Sequence, residues 1–184
     1  MINEKVICAG FGGQGVMKMG QIITYSGMME NKHVSWLPSY GPEMRGGTAN
    51  CAVMLSDTPI GSPVITNDAT SVIVMNLPSL VKFEENAAAG SKILVNSSLI
   101  DQKVSREDVE AYYIPCNEVA AELGNAKVAN MVMLGAYLQL ANPVKIETVF
   151  KAMVKVFGEK KAKFMPMNEE AIKKGMEIIK EQIK

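Results

Sequence analysis

Residues 10–15 read Gly10-Phe11-Gly12-Gly13-Gln14-Gly15, four glycines in six positions. They follow the apolar run Val6 to Ala9 and precede Val16, Met17, Met19, Ile22 and Ile23 at helical spacing. A strand that turns into a helix through bare backbone lets an outside group come close to the main chain. The helix start also offers unpaired N–H groups and the positive end of the dipole. That chemistry suits an anion, above all a phosphate. A second constellation runs from Tyr40 through Gly41, Pro42, Glu43, Met44, Arg45 and Gly46 to Gly47. Arg45 could grip a phosphate or carboxylate with its planar fork, and Glu43 lies near enough in sequence to pair with it. Asn76 and Asn96 each end an apolar strand on the same predicted edge, where they could donate to a ligand or cap the next loop.

Several chemistries are disfavoured. Gly10-x-Gly12-x-x-Gly15 has the form of a dinucleotide fingerprint, which expects an acid about 20 residues later at the end of the second strand. That end reads Trp36-Leu37-Pro38-Ser39, so the ribose contact is missing. No Gly-Lys-Ser or Gly-Lys-Thr follows, so a P-loop is excluded. Cys8, Cys51 and Cys116 are far apart, which argues against an iron–sulfur cluster or structural zinc on this chain. Cys8 and Cys51 fall in expected strands and read as buried thiols. The single histidine, His33, reads as a surface or helix-end residue, which leaves no catalytic triad to build.

The formal net charge is zero, against the basic field that nucleic acids or anionic membranes require. From Pro143 onward 10 Lys stand against 6 Glu, a mildly basic tail read as a solvated helix face. No export signal or membrane span is visible, and a cytoplasmic protein is the simplest reading.

The elements that must position these groups alternate. Short apolar strands are expected at 6–9, 34–38, 71–75, 93–95 and 111–114, and helices at 15–30 and from Pro78 to a cap near Gly90. Residues 48–56 alternate cleanly, with Ala49, Cys51, Val53 and Leu55 on one face, so this strand can run antiparallel. After Pro115 helical spacing takes over at 117–123, 128–141, 146–157 and 168–183. The 14 methionines read chiefly as core filling. The expected fold is α/β: three α/β/α layers on a mostly parallel, mixed sheet with a helical C-terminal region. One domain is expected over 1–184, with residues 164–184 as a helical appendage that could pack away from the sheet or on a partner.

Beyond these readings, Gly-Phe-Gly-Gly-Gln-Gly-Val and Pro38-Ser39-Tyr40-Gly41-Pro42-Glu43-x-Arg45-Gly46-Gly47 resemble the gamma subunit of 2-oxoacid:ferredoxin oxidoreductases. Ser56-Asp57, Ser62-Pro63, Met75-Asn76 with Lys82-Phe83, and Met167-Asn168-x-x-Ala171-x-x-x-Gly175 continue the resemblance across nearly the whole chain. The resemblance implies a three-layer α/β subunit of a complex that oxidatively decarboxylates a 2-oxoacid with coenzyme A, giving acyl-CoA, carbon dioxide and reduced ferredoxin. Thiamine diphosphate and iron–sulfur clusters would reside in partner chains: thiamine-binding alpha and beta subunits and a ferredoxin-like delta subunit. Coenzyme A would be the cosubstrate, and 2-oxoglutarate the first choice of oxoacid. Pyruvate, branched-chain oxoacids and indolepyruvate stay open.

The candidate binding set is Gly12, Gly13, Gln14, Gly15, Tyr40, Glu43, Arg45, Gly46, Gly47 and Asn76, with no catalytic and no metal-ligating residue. Two further readings stand beside ligand binding. The chain could be purely an assembly module, its glycines giving close backbone contact with a partner. It could also be an independent NAD-dependent oxidoreductase, which the missing acid disfavours.

Overall fold

The computed structural model describes residues 2–41, 47–158 and 163–183. The first apolar run forms strand β1 (Asn3–Phe11), and the glycine bend leads into helix α1 (Val16–Met29). Strands β2 (His33–Tyr40) and β3 (Thr48–Ser56) follow, then β4 (Ala69–Val74) and the short helix α2 (Leu77–Phe83). Strand β5 (Ala87–Asn96), strand β6 (Glu110–Ile114) and helix α3 (Cys116–Glu122) complete the alternating part. Three longer helices close the chain: α4 (Ala129–Ala141), α5 (Ile146–Phe157) and α6 (Met165–Gln182).

The six strands form one mixed sheet in the order β2-β3-β1-β4-β5-β6. β3 runs antiparallel to both its neighbours, while β1, β4, β5 and β6 are mutually parallel. The clean alternation of residues 48–56 is thus realised: Ala49, Cys51, Val53 and Leu55 are all buried on one face. Cys8 and Cys51 oppose each other across the β1–β3 pair, both fully buried. The facing Cys51 thiol, together with burial, pushes the Cys8 thiol well above its usual range.

The two faces of the sheet are covered unequally. One core gathers Val6, Cys8, Val53 and Leu94 with α1 and α3 to α6. The other gathers Ile7, Ala9, Val72 and Val95 with Leu80 of α2 and Ile100 of the loop after β5. Helix α4 is buried on every side, all ten residues from Ala129 to Leu138, as a helix apolar all round must be. Helix α6 turns Ala171, Ile172, Gly175 and Ile179 toward it. A Cβ on Gly135 would run into the Ile172 carbonyl, and a Cβ on Gly175 into that of Val132. The two helices therefore cross backbone against backbone. The far end of α6 also reaches the sheet, where Gln182 Nε2 donates to the Tyr113 carbonyl at 2.9 Å.

One boundary differs from the sequence expectation. Helix α2 ends at Phe83 rather than near Gly90, and a 3-10 turn (Glu84–Asn86) leads into β5. Ala87 pairs with Ala69 in the sheet, so strand pairing overrides the helix preference of the three alanines. Gly90 is no helix cap: it sits inside the strand at φ 74° and donates its N–H to the Asp108 carbonyl at 2.7 Å.

Candidate functional site

The parallel strands β1, β4, β5 and β6 put their carboxyl ends on one edge of the sheet. From β1 the chain moves one way to β2 and β3, then returns to the other side with β4. The crevice between β1 and β4 is therefore a topological switch point, the place where open α/β sheets bind ligands. The Gly12–Gly15 bend leaves β1 at this crevice, and Met75 and Asn76 leave β4 beside it. The backbone ties them: Met75 N–H donates to the Ala9 carbonyl at 2.9 Å.

The bend is held from within. Gln14 folds its side chain inward, where Oε1 accepts from Phe11 N–H at 2.7 Å and from Asn76 Nδ2 at 3.3 Å. Gln14 Nε2 donates to the Met75 carbonyl at 3.1 Å. Asn76 caps α2, its Oδ1 accepting from Ser79 N–H at 2.9 Å. Both amides, read from sequence as ligand contacts, have partners inside the chain. Gly15 is also accounted for internally. It adopts φ 78°, a Cβ there would collide with the Asn130 amide, and Asn130 Nδ2 donates to its carbonyl at 3.3 Å. Gly13 is the exception. It is exposed, its φ is 99°, and nothing among the described residues stands within 4 Å of where a Cβ would project.

The structure joins the two glycine segments. Gly12 N–H donates to the Gly47 carbonyl at 2.9 Å, and Phe11 pairs with Thr48. Tyr40, at the end of β2, is 68% exposed on the same side of the sheet. Gly41 closes the strand pair by donating to the Thr48 carbonyl at 2.7 Å. Glu43, Arg45 and Gly46 lie outside the described residues.

Helix α1 starts without a side-chain cap and without an acid in its first turn. A 210 Å³ cavity opens beside the bend, lined by Gly13, Gln14, Met75, Asn117, Lys127 and Asn130 among others. The buried Asn96 amide stands behind it, donating to Asn117 Oδ1 at 2.9 Å, while its own Oδ1 has no partner among the described residues. Asn117, Lys127 and Asn130 escaped the sequence reading. For Asn130 a signal existed: it is a polar residue inside the most apolar helix, and it is 7% exposed. Asn117, in the first turn of α3, and Lys127, in the 3-10 turn before α4, are joined to the bend only by the fold.

Among the described residues no group of three or more His, Cys, Asp or Glu is placed to hold a metal ion. Cys116 is buried and its thiol is driven strongly upward by desolvation, so it stays protonated. No helix among the described residues is long and apolar enough to cross a membrane.

Fold and site define a class: an open, mostly parallel α/β sheet whose switch-point loop is a glycine bend. Residues 5–178 match the family described as pyruvate ferredoxin/flavodoxin oxidoreductase, and the chain belongs to that family. It is 38% identical over 180 residues to ketoisovalerate oxidoreductase subunit VorA of Methanothermobacter thermautotrophicus, covering 97% of this chain and 37% of that protein. It is 34% identical over 157 residues to 2-oxoglutarate synthase subunit KorC of Methanocaldococcus jannaschii, covering 83% of each. The chain thus spans little more than a third of the first relative and most of the second. Among solved structures, the gamma subunit of a keto/oxoacid ferredoxin oxidoreductase from Geobacter sulfurreducens superimposes with a TM-score of 0.80 at 26% identity, covering 96% of this chain and 98% of that one.

Proposed function

We propose that the chain is the gamma-type subunit of a 2-oxoacid:ferredoxin oxidoreductase acting in the cytoplasm. The complex would oxidatively decarboxylate a 2-oxoacid with coenzyme A to acyl-CoA, carbon dioxide and reduced ferredoxin. Thiamine-binding alpha and beta chains and a ferredoxin-like delta chain would be its partners. Family membership over residues 5–178 supports the subunit reading.

The observation that carries the role of this subunit is the junction of Gly12 with Gly47 beside an uncapped helix start. It brings the end of the Tyr40–Gly47 segment against a bend whose Gly13 faces open space. In this reading, backbone N–H groups of the bend and the Arg45 guanidinium meet phosphate oxygens of coenzyme A, or complete the cleft beside the thiamine site. Gln14, Gly15 and Asn76 serve by fixing the bend rather than by touching the ligand. The competing reading is a docking surface for the partner chains, which the exposure of Tyr40 also fits.

Co-purification tests the first level: the tagged chain should bring down large chains carrying thiamine diphosphate, and recovery of the chain alone would reject the subunit reading. At the second level, Arg45→Ala in the assembled complex should raise the Michaelis constant for coenzyme A about tenfold, the cost of one lost charge-assisted contact. An unchanged constant removes Arg45 from the ligand site.

A further inference from the structure

Cys8 and Cys51 form a buried thiol pair that the site described above does not use. Both side chains lie on the α1 face of the sheet, within the larger core. The register of their strands is fixed at both ends. Asp57 N–H donates to the Ile2 carbonyl at 3.1 Å, and Gly12 N–H donates to the Gly47 carbonyl at 2.9 Å. Alternate residue pairs between these ends share backbone hydrogen bonds, and Cys8 with Cys51 is one of them. Such pairs hold their Cα atoms about 5.5 Å apart, inside the range that a disulfide spans. Bridging the pair therefore needs no separation or sliding of the strands. The Cβ atoms of such a pair stand slightly wider than a relaxed bridge prefers, which keeps the bridge open to reduction.

The surroundings distinguish the two sulfurs. The Cys51 thiol donates to the Val16 carbonyl at 3.7 Å, in the first turn of α1. The indole Nε1 of Trp36 is buried without a partner among the described residues. A Cβ on Gly20 would run into both Cys51 Sγ and Trp36 Nε1, so bare helix backbone makes room where sulfur and indole converge. The Cys8 thiol first, then the Trp36 indole and the Gly20 backbone, pull the Cys51 pKa down against burial, whereas Cys8 is pushed up. Cys51 is thus the better thiolate and Cys8 the proton holder. A 170 Å³ cavity lined by Gln21, Thr24, Tyr25, Met28 and Trp36 lies between α1 and β2. It has room for several water-sized molecules, and Trp36 both lines it and neighbours Cys51. β2 is an edge strand held from one side only, so local opening costs least there.

We propose that Cys8 and Cys51 are a redox modification site, closing to a cross-strand disulfide on exposure to hydrogen peroxide and reopening with a thiol reductant. The Cys51 thiolate attacks one peroxide oxygen, the O–O bond breaks, and the hydroxide released takes up the proton that Cys51 gave up. The Cys8 sulfur then attacks the sulfenic sulfur. The S–S bond forms, the S–O bond breaks, and hydroxide leaves as water with the Cys8 proton. The sulfurs together lose two electrons, and one peroxide becomes two waters. The bridge ties β1 to β3 four residues short of the Gly12–Gly47 junction on each strand, and removes the thiol donor from the Val16 carbonyl. None of this depends on the subunit reading.

Peroxide titration of the full chain, followed by thiol counting in denaturant and by intact mass, tests the site. Two of the three thiols should disappear together, and the mass should fall by two hydrogens. Proteolytic mapping should join Cys8 to Cys51 and leave Cys116 free, and dithiothreitol should restore all three. The oxidised chain should unfold at a higher urea midpoint, because the bridge closes a long loop in the unfolded chain. Cys8→Ala should stop Cys51 at the sulfenic acid, trapped by a 1,3-diketone, and Cys51→Ala should leave Cys8 unmodified. Trp36→Phe should slow thiol loss about tenfold, the effect of one donor removed from the thiolate. Three intact thiols at millimolar peroxide, a bridge to Cys116 or between two chains, or oxygen added to Cys8 and Cys51 without a bridge would overturn the assignment in the unaltered chain. Sulfenic acid on Cys8 in Cys51→Ala, or unchanged kinetics in Trp36→Phe, would overturn the roles given to the sulfurs and the indole.

Discussion

Glycine serves opposite ends in two parts of this molecule. At the α4–α6 crossing, Gly135 and Gly175 are needed because the chain's own backbone occupies the space of a side chain. At the sheet edge, Gly13 needs none of that space: no atom of the described residues stands within 4 Å of a Cβ there, and only its positive φ asks for glycine. The first pair belongs to packing, since two helices that approach this closely exclude even a methyl. The second belongs to access, since a bend that nothing among the described residues fills stays open to something outside it. Gly15, two residues from Gly13, shares both characters, because its φ is positive and Asn130 fills its outer side. Chemically identical residues thus divide by what stands beyond the missing Cβ.

The contrast breaks most visibly at the crossing. Gly135→Ala or Gly175→Ala should cost at least about 3 kcal/mol of stability, read from the urea midpoint of the purified chain. Retained stability would mean that the helices can separate cheaply. Gln14→Ala comes next. It removes the acceptor for Phe11 and Asn76 and the donor to Met75, and should cost about 2 kcal/mol by the same measurement. Gly13→Ala places a side chain in the left-handed region without a clash and should cost about 1 kcal/mol. A loss there as large as at Gly135 would show that the bend is packed after all.

The smallest effect belongs to Glu4, at the opposite end of β1, where burial raises its pKa despite hydrogen bonds from Thr70, Tyr137 and Ser71. The folded chain then keeps this proton to higher pH than the unfolded chain does, so stability falls as pH rises through the raised pKa. Glu4→Gln should flatten that part of the stability–pH curve, and an unaltered slope would assign it to other groups.

Much of the scaffold was legible in the residues. Alternation in 48–56 marked the reversed strand, and the apolar run of 128–141 marked a helix buried all round. Gly90 misled because three alanines before it favour helix, and only pairing with Ala69, from a distant segment, makes them strand. The site was half legible. The glycine bend and its junction with Gly47 follow from local chemistry and strand order. The inward turn of Gln14 does not, since nothing near it in sequence shows that Phe11, Met75 and Asn76 converge on its amide. Asn130 carried a signal, a polar group in an apolar helix, but its partner lies 115 residues away.

The most direct test of an open, ligand-receiving bend is the Michaelis constant for coenzyme A in the assembled complex carrying Gly13→Ala. The account predicts that the complex forms and that the constant rises about tenfold, because a methyl enters the space the ligand would use. An assembled complex with an unchanged constant, or failure to assemble by a chain that still folds, would contradict it.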